Sequence, residues 1–469
     1  MSANNLFFSR DTKLYIELID SAGVAQTDGS VWEIPILDGY SFSQSTNTSE
    51  ITLSEAASST GTSRRGRKVF TDNFAPAEFS FSTYVRPVKN LTANNGRPGD
   101  WEAGGVGTNA IHAVEEVLWA LFTGDSTFTK SSGSAAASWS DSITQGATNM
   151  VVDFSASNKS QLGRANLYFV MGGDQSIVST TNSSQSNAAQ AIVAVAQTAG
   201  IKKGDYMRFV GDDVSTNSGD NAVFEVDAVS TASGAGNVTL KSNIPNAIPS
   251  GTTLSFSSAQ VYKLPGSVLN EVGVDFDLEG IATLNWSGMA DIIEESFSAP
   301  AATIYEGLTS TSNFIRNKIS TLALTSSASA VPASHTYDIT LTGGNITMTN
   351  NITFLTPEEI GTVNKPIGHV TGTRSITGSF TCYLNTAASG SADLFQDIMS
   401  ATTVVTHDYS ATLNMGGTTG PCVAFTMPQA HVSLPAINIE DVVSVEVTFD
   451  ALPSSIPNTD EITITYKGA

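Results

Sequence analysis

Alternation of apolar and polar residues is the dominant pattern along this chain. In the segment 78–86, Phe79, Phe81 and Val85 fall on one face of an extended chain, and Ser and Tyr occupy positions between them. The segment 443–450 alternates in the same way, with Val and Phe against Ser, Glu, Thr and Asp. Successive side chains of a strand point to opposite faces, so both segments are predicted to be half-buried β-strands.

Helices are predicted at only two places. In 111–122, apolar residues recur at spacings of three and four, which forms a helical stripe that includes Ile111 and Leu118. Gly124 follows as a stop, because glycine readily adopts the left-handed conformation that ends a helix. A weaker helix is predicted over 391–399. The chain is therefore expected to be mostly β.

An internal repeat organises the chain. Four pairs of segments match in order: 36–39 with 341–344, 80–85 with 379–384, 274–277 with 437–440, and 283–286 with 446–449. Each copy carries one of the two predicted helices after its second matching segment. The separation between partners shrinks along the series, so the first copy holds extra residues somewhere in 125–260.

The extra residues have their own character. Stretches at 128–160 and 176–200 are rich in Ser, Ala, Thr and Asn, and four short strand-like segments with Gly-rich turns follow in 201–256. This pattern predicts a small β-barrel or sandwich, placed at 174–258. Residues 167–170 are assigned to the parent domain. Inserted modules sit at exposed loops, where both ends are close together and unburied.

The charge of the chain excludes several classes of protein. It has 44 acidic and 22 basic side chains, a net charge of −22, and only 14% charged residues. So acidic a protein is not expected to bind nucleic acid, because phosphates require Lys and Arg. No apolar run approaches the roughly 18 residues of a membrane span, and the start of the chain lacks a signal-peptide pattern. Cys382 and Cys422 do not make a disulfide framework, and synthesis in a reducing cytoplasm is expected.

A search for catalytic and ligand-binding motifs returns nothing of substance. The sequence has no Walker-type phosphate loop and no HExxH, CxxC or GxSxG motif, and its five histidines have no ligand spacing. The segment 275–280 resembles the first half of a calcium loop, but Trp286 stands where the bidentate acid belongs. The alternation of Val274, Phe276 and Leu278 instead indicates a strand with an acidic outer face. We predict no catalytic residue, cofactor or metal.

One basic cluster, 64–68, stands out against the acidic background. It lies among Ser, Thr and Gly, which is typical of a loop tip. Two interpretations remain open: a solvated loop, or a contact with an acidic surface of a neighbouring copy of the chain.

The order of motifs resembles the tail tube proteins of long-tailed bacteriophages, and most of all those of T-five-type siphophages, which carry the tube domain twice. In the first half the resemblance rests on 50–56, 65–66, Phe70 and 76–85. In the second half it rests on 350–357, 366–368, 377–384 and 429–432. It covers roughly 1–123, 160–173 and 259–455. The 174–258 module departs from the family pattern, and no immunoglobulin-like domain follows about residue 455.

The resemblance implies two tandem tail-tube β-sandwich or barrel domains, each flanked by a short helix, together with the small inserted β-domain. The expected boundaries are 1–173 and 259–310 for the first tube domain, 174–258 for the insertion, 311–455 for the second tube domain and 456–469 for a C-terminal tail. Four strands per domain would join neighbouring domains into a continuous barrel around a channel. If six domains close a ring, two domains per chain mean a trimer.

The same resemblance implies a virion structural protein, assembled in the host cytoplasm, that is not an enzyme. Its expected partners are other copies of itself, in stacked pseudo-hexameric rings, and the tape-measure, tail terminator and tip proteins. DNA would pass through the lumen without specific binding, and no membrane insertion is expected. The acidic composition fits independently, since a polyanionic wall repels phosphates. Alternatives are another β-rich structural or adhesive surface or fibre protein, and a β-solenoid enzyme.

Two sets of site residues follow from the alternation and the resemblance. The residues expected to face the lumen are Ser80, Ser82, Thr283 and Asn285 in the first copy, and Ser379, Thr381, Glu446 and Thr448 in the second. The residues expected to contact an adjacent ring are Glu50, Glu55, Arg64, Arg65, Arg67 and Lys68. A register error of one residue would reverse every lumen assignment.

Overall fold

The structure of the chain is a computed structural model. It describes residues 7–20, 23–25, 31–51, 68–89, 110–125, 127–129, 138–154, 162–173, 176–182, 190–210, 223–244, 247–257, 260–277, 279–296, 298–299, 313–327, 332–356, 366, 368–400, 408–434, 436–438 and 443–468. Strands dominate these residues, which confirms the expected mostly-β class.

The elements fall into three groups along the chain. The first is β1 (Phe7–Ile19), β2 (Val31–Ile34), β3 (Ser41–Ser43), β4 (Thr46–Ile51), β5 (Lys68–Phe74), β6 (Ala77–Tyr84), β7 (Pro87–Lys89), β8 (Ile111–Ala113), α1 (Glu116–Thr123), β9 (Phe128–Thr129), β10 (Ser138–Trp139), β11 (Ile143–Gln145), β12 (Met150–Val152) and β13 (Arg164–Gly173). The second is β14 (Ser176–Thr180), β15 (Gln190–Val195), β16 (Tyr206–Phe209), β17 (Val223–Val229), β18 (Gly236–Ile244) and β19 (Thr253–Ser257). The third is β20 (Gln260–Asp277), β21 (Thr283–Ala290), β22 (Glu294–Glu295), β23 (Ser298–Ala299), a 3₁₀ turn (Asn317–Ile319), β24 (Thr321–Ser326), β25 (Thr336–Ile339), β26 (Leu341–Thr349), β27 (Ile352–Leu355), β28 (Gly368–Thr371), β29 (Ser375–Tyr383), α2 (Ser391–Ser400), β30 (Asp408–Met415), β31 (Cys422–Val432), β32 (Ala436–Asn438), β33 (Ser444–Leu452) and β34 (Thr463–Lys467).

Eight strands form one continuous antiparallel sheet, here called the inner sheet. Their order is β3–β6–β21–β20–β26–β29–β33–β32. The first four strands lie within residues 7–299, here called the first half of the chain. The last four lie within residues 313–468, here called the second half. β20 and β26 pair at the junction between them. The inner sheet therefore runs without interruption from one half of the chain into the other.

Two smaller strand sets, here called the outer sheets, cover the apolar face of the inner sheet. The first is β2–β1–β13–β20 and the second is β25–β24–β30–β31. Leu14, Trp32 and Phe169 from the first outer sheet join Phe81 and Trp286 of the inner sheet in a single core that extends into the second half of the chain. Each half is therefore a two-layer arrangement, and the halves share one interior.

The first helix starts later than the sequence pattern predicts. Residues 111–113 form β8, which pairs with β7, and α1 begins only at Glu116. Gly124 ends the helix in the left-handed conformation, with φ 95°, as predicted. All eight residues of α1 are buried, so the helix is not amphipathic in its surroundings. The short strand forms because the 87–89 segment offers it a partner, which overrides the helical stripe.

The C-terminal residues, expected to be a tail, contain a central strand. β34 lies between β12 and β31 and so ties the first half of the chain to the second. Tyr466 is completely buried: its hydroxyl accepts from Trp119 Nε1 at 2.7 Å and donates to Glu115 Oε1 at 2.9 Å. The Arg86 backbone N–H also donates to Glu115, at 3.2 Å. This polar network fixes β34 against α1.

Burial gives the network a pH dependence that can be measured. Burial raises the pKa of Glu115 to about 7, against an ordinary glutamate value of about 4.3. Between these values the folded chain holds a proton that the unfolded chain has lost, so this group lowers stability as pH rises from about 4 to 7. The Glu115→Gln variant lacks this titration. As pH rises across that range, the variant should therefore gain stability relative to wild type, by up to about 3 kcal/mol in the free energy of unfolding.

The control for this measurement is already present in both proteins. Burial lowers the pKa of His369 to about 4, and its Nε2 accepts a hydrogen bond from the Leu162 N–H at 2.9 Å. That histidine makes stability rise with pH, but it does so equally in wild type and in the Glu115→Gln variant. The free energy of unfolding of both proteins is measured at pH 5 and pH 8. An equal change between the two pH values in wild type and variant would contradict the assignment to Glu115.

The second group of strands forms a separate small barrel, here called the module. Its strand order is β14–β19–β16–β17–β18–β15, and a bridge between Thr181 and Val195 connects β15 back to β14. It has its own core, which includes Met207, Phe224 and Phe256. β14 and β15 lie in the Ser- and Ala-rich stretch where sequence analysis assigned no strands.

Candidate functional site: the polar face of the inner sheet

The inner sheet presents a polar face on the side away from the core. All eight residues proposed to face the lumen lie on this face: Ser80, Ser82, Thr283, Asn285, Ser379, Thr381, Glu446 and Thr448 are exposed or half-buried. Their neighbours Phe81, Trp286, Phe380 and Val447 are buried in the core. The structure therefore places the eight together on one surface.

One row of paired residues crosses the junction between the two halves. Thr283 pairs with Asp275, Asp275 with Asn345, Asn345 with Ser379, and Ser379 with Thr448. Residues paired across an antiparallel sheet point to the same side. The polar face is thus continuous across the junction of β20 and β26.

Hydrogen bonds between neighbouring strands organise the first half of this face. Ser82 Oγ donates to Asn285 Oδ1 at 2.7 Å, and Asn285 Nδ2 donates to Asp275 Oδ2 at 2.8 Å. Farther along β6, the Ser41 and Ser80 hydroxyls lie 2.9 Å apart. These cross-strand pairs hold short side chains flat along the sheet, so the face is lined by hydroxyl, amide and carboxylate groups.

The charge of the polar face is of one sign. Its described acidic residues are Glu78, Glu271, Asp275, Asp277, Glu446 and Asp450. The described parts of β6, β21, β26, β29 and β33, and residues 271–277 of β20, contain no Lys or Arg. A continuous surface of carboxylates and hydroxyls repels phosphate groups and gives them no cation to bind.

Nothing in the described part of the chain assembles a catalytic or metal centre. No group of three or more His, Cys, Asp or Glu side chains lies close enough to hold a metal ion there. Cys382 and Cys422 are both free and buried, and burial raises the pKa of the Cys382 thiol to about 11. A thiol that resists ionisation in this way is a poor nucleophile. None of the described helices has the length and hydrophobicity of a membrane span.

Both ends of the inner sheet are open edges in the described residues. β3 pairs there only with β6, and β32 only with β33. Ile437, in β32, and Leu434, two residues before that strand, are 59% and 67% exposed. A free strand edge with apolar neighbours is a template for pairing with another chain. Sequence analysis missed these two residues because exposure depends on which strand ends the sheet.

Each half also extends a two-stranded hairpin between its first and second inner strands. β4 pairs with β5 between β3 and β6, and β27 pairs with β28 between β26 and β29. Of the residues proposed for ring contacts, Glu50 and Lys68 lie near the end of the first hairpin, where Glu50 pairs with Val69 and Ile51 with Lys68. Glu55, Arg64, Arg65 and Arg67 lie outside the described residues.

Part of the chain is similar to a curated phage protein. The chain is 34% identical over 202 residues to tail tube protein pb6 of Escherichia phage T5. The matched region is 41% of this chain and 42% of the relative, so the chain spans about two fifths of the length of the curated protein it matches. No protein-family model matches the chain. The similarity agrees with the resemblance in the sequence motifs and leaves most of each protein outside the match.

Proposed function

We propose that this chain is the major tail tube subunit of a T-five-type phage, and that its rings stack into the channel through which the genome leaves the virion. The observation that carries the proposal is the inner sheet, whose two four-stranded sets follow each other with a continuous polar face. The similarity to a named tail tube protein supports it independently. The protein would act as a structural component of the tail and not as an enzyme.

Correspondence between the halves supports a duplicated tube domain. In each half, a strand pair (β1–β2 or β24–β25) precedes an inner strand, a hairpin, a second inner strand and a helix. A further outer strand follows, and then a strand that bends from the outer to the inner sheet. We propose domain boundaries of 1–173 with 259–310, and 311–455, with the module at 174–258.

Ring closure follows from the pairing at the internal junction. β20 ends the first four-stranded set and pairs with β26, which begins the second set. The equivalent partner of β32 is β3 of the next chain, since β32 ends the second set and β3 begins the first. Three chains with eight inner strands each would close a 24-stranded barrel with pseudo-sixfold symmetry. Closure removes both open edges.

In such a barrel the polar face lines the channel. The apolar side of the inner sheet is already covered by the two outer sheets, so only the polar face is free to border a lumen. The carboxylates then repel the DNA backbone, and passage requires no specific binding. The tape-measure protein would occupy the same channel before ejection, and terminator and tip proteins would cap the stack.

The first hairpin is proposed to contact the next ring. Replacing Arg64, Arg65, Arg67 and Lys68 together by Ser should leave rings intact and prevent their stacking into tubes, because charged pairs across an interface set orientation and association rate. Sedimentation and electron microscopy of the purified variant measure this outcome. Replacing the exposed basic pair Lys202 and Lys203 of the module by Ser is the matched control. Tubes of normal length from the four-fold variant would identify 64–68 as a solvated loop.

Electron microscopy of the purified wild-type protein tests the proposal as a whole. Hollow tubes of uniform width with a central bore are expected. Solid fibres or flat sheets would instead favour a surface-layer or adhesive protein.

A further inference from the structure

The module rests on the outer sheet of the first half through an apolar contact. Tyr206 and Val223 of the module form one buried cluster with five residues of the outer sheet, namely Tyr15, Val31, Tyr168, Val170 and Val261. Tyr15, Val170 and Val261 are completely buried there. Val223 and Phe224 also pair with β23, which follows the first half of the chain. The module is thus joined to the body by side chains and by a strand pair.

The second half of the chain offers an internal comparison. Its outer sheet has the same pairing, so each contact residue has a counterpart on the same face. The counterparts of Tyr15, Val31, Tyr168, Val170 and Val261 are Ala323, Thr336, Thr412, Asn414 and Ala424. Where no module sits, the face carries small and polar residues. Where the module sits, the same positions carry Tyr and Val.

Charged groups border the contact from both sides. The charges of Glu33, on the outer sheet, and Arg208, on the module, both act on the buried Tyr15 hydroxyl, and burial raises the pKa of that phenol. Glu225 of the module forms an ion pair with Lys241, also of the module. An apolar centre with a polar or charged margin is the composition of a specific protein interface. A decoration held only by its two chain connections would require none of these groups.

We infer that the module is an obligate layer of the first half, and that its docking surface is the five-residue apolar patch Tyr15, Val31, Tyr168, Val170 and Val261. The residues facing the core alternate with the patch residues along the same strands, so the module lies on the opposite side of the core from the polar face. If the proposed tube is correct, the module therefore forms a fixed ridge on its outer wall. The docking claim itself does not depend on tube formation.

Two deletion variants test the inference. In the first, residues 174–258 are replaced by a short Gly-Ser linker. In the second, the same deletion is combined with the counterpart residues of the second half: Tyr15→Ala, Val31→Thr, Tyr168→Thr, Val170→Asn and Val261→Ala. Exposed apolar patches of this kind drive association. The plain deletion should be largely insoluble or bind a hydrophobic dye, whereas the second variant should be soluble and give the circular dichroism expected for the full chain without the six strands β14–β19.

Point substitutions in the full chain give a second readout. Tyr206→Ser should lower the midpoint of thermal unfolding by at least about 4 °C, because it removes an aromatic ring from the buried contact. Val178→Ser, on an exposed face of the module, should leave the midpoint unchanged.

Three results would overturn the inference. One is a plain deletion that is as soluble and as folded as the full chain. Another is failure of both deletion variants, since it would mean that the patch is not what makes the module necessary. The third is equal thermal midpoints for the Tyr206→Ser and Val178→Ser variants. Each readout uses the isolated chain, so a failed tube proposal leaves the test intact.

Discussion

The double variant Leu434→Lys, Ile437→Lys is expected to abolish tube formation while leaving the chain folded. Ile437 lies in the open edge strand β32 and Leu434 lies two residues before it, and both are largely exposed in the isolated chain, so charge is tolerated there before assembly. Against the β3 edge of a neighbouring chain, the two lysines would be desolvated without partners. We expect the double substitution to weaken each β32–β3 contact between chains by about 2 kcal/mol. A trimeric ring has three such contacts, so the ring is destabilised by roughly 6 kcal/mol.

Size-exclusion chromatography with light scattering measures this result directly. The double variant should elute as a monomer with an unchanged circular dichroism spectrum. Ile456→Lys is the matched control, because Ile456 is 98% exposed and lies away from the β32 edge. Rings or tubes from the double variant at wild-type yield would show that β32 is not the closing edge.

The second large effect is expected from positive charge on the polar face. Replacing Asn285 and Ser379 by Lys adds two cations per chain to the polar face, one on β21 and one on β29, on either side of the β20–β26 junction. In a trimer this is six lysines in each ring, repeated along the tail. Tubes should still assemble, because both side chains face away from the core. DNA ejection should slow severely, since the lysines bind passing phosphates and the binding weakens with salt.

Ejection assays at low and high ionic strength separate this effect from a packing defect. The lysine variant should recover part of its ejection rate in high salt, whereas Asn285→Gln with Ser379→Thr should eject at the wild-type rate throughout. Equal ejection by the lysine variant and wild type at low salt would place the polar face outside the channel.

Alternation along single strands was the most informative feature of the sequence. The pattern at Ser80, Phe81 and Ser82 predicts both the strand and the face of each side chain, because burial in a half-covered sheet depends on residue parity alone. The repeat between 80–85 and 379–384 likewise predicts two strands that occupy equivalent positions in the inner sheet.

Contacts between distant segments could not be predicted from the sequence. The pairing of Asp275 with Asn345 depends on which strand edges of the two halves come together. Neither β20 nor β26 has a sequence pattern that identifies the other as its partner. The strand around Tyr466 alternates clearly in sequence, yet its central position follows from the gap between β12 and β31. The buried Glu115 and Glu116 lead to the same conclusion, since two adjacent carboxylates in a helical segment suggest an exposed face.

The module shows how the comparison between halves adds information. Tyr15 and Tyr168 alternate outward from a covered strand, where sequence alone predicts solvent-facing residues. Tyr15 pairs with Tyr168, and Ala323 pairs with Thr412 at the equivalent positions of the second half. Only the comparison of these two pairs shows that the first half carries an apolar patch. The difference between two similar sheets therefore identifies the docking surface.

A cryo-electron microscopy reconstruction of assembled tubes tests the central claim most directly. The account predicts three chains per ring, a continuous barrel in which β32 of one chain pairs with β3 of the next, and a channel lined by Ser82, Asn285, Ser379 and Thr448. A ring of six chains, or a channel lined by Phe81 and Val447, would contradict it.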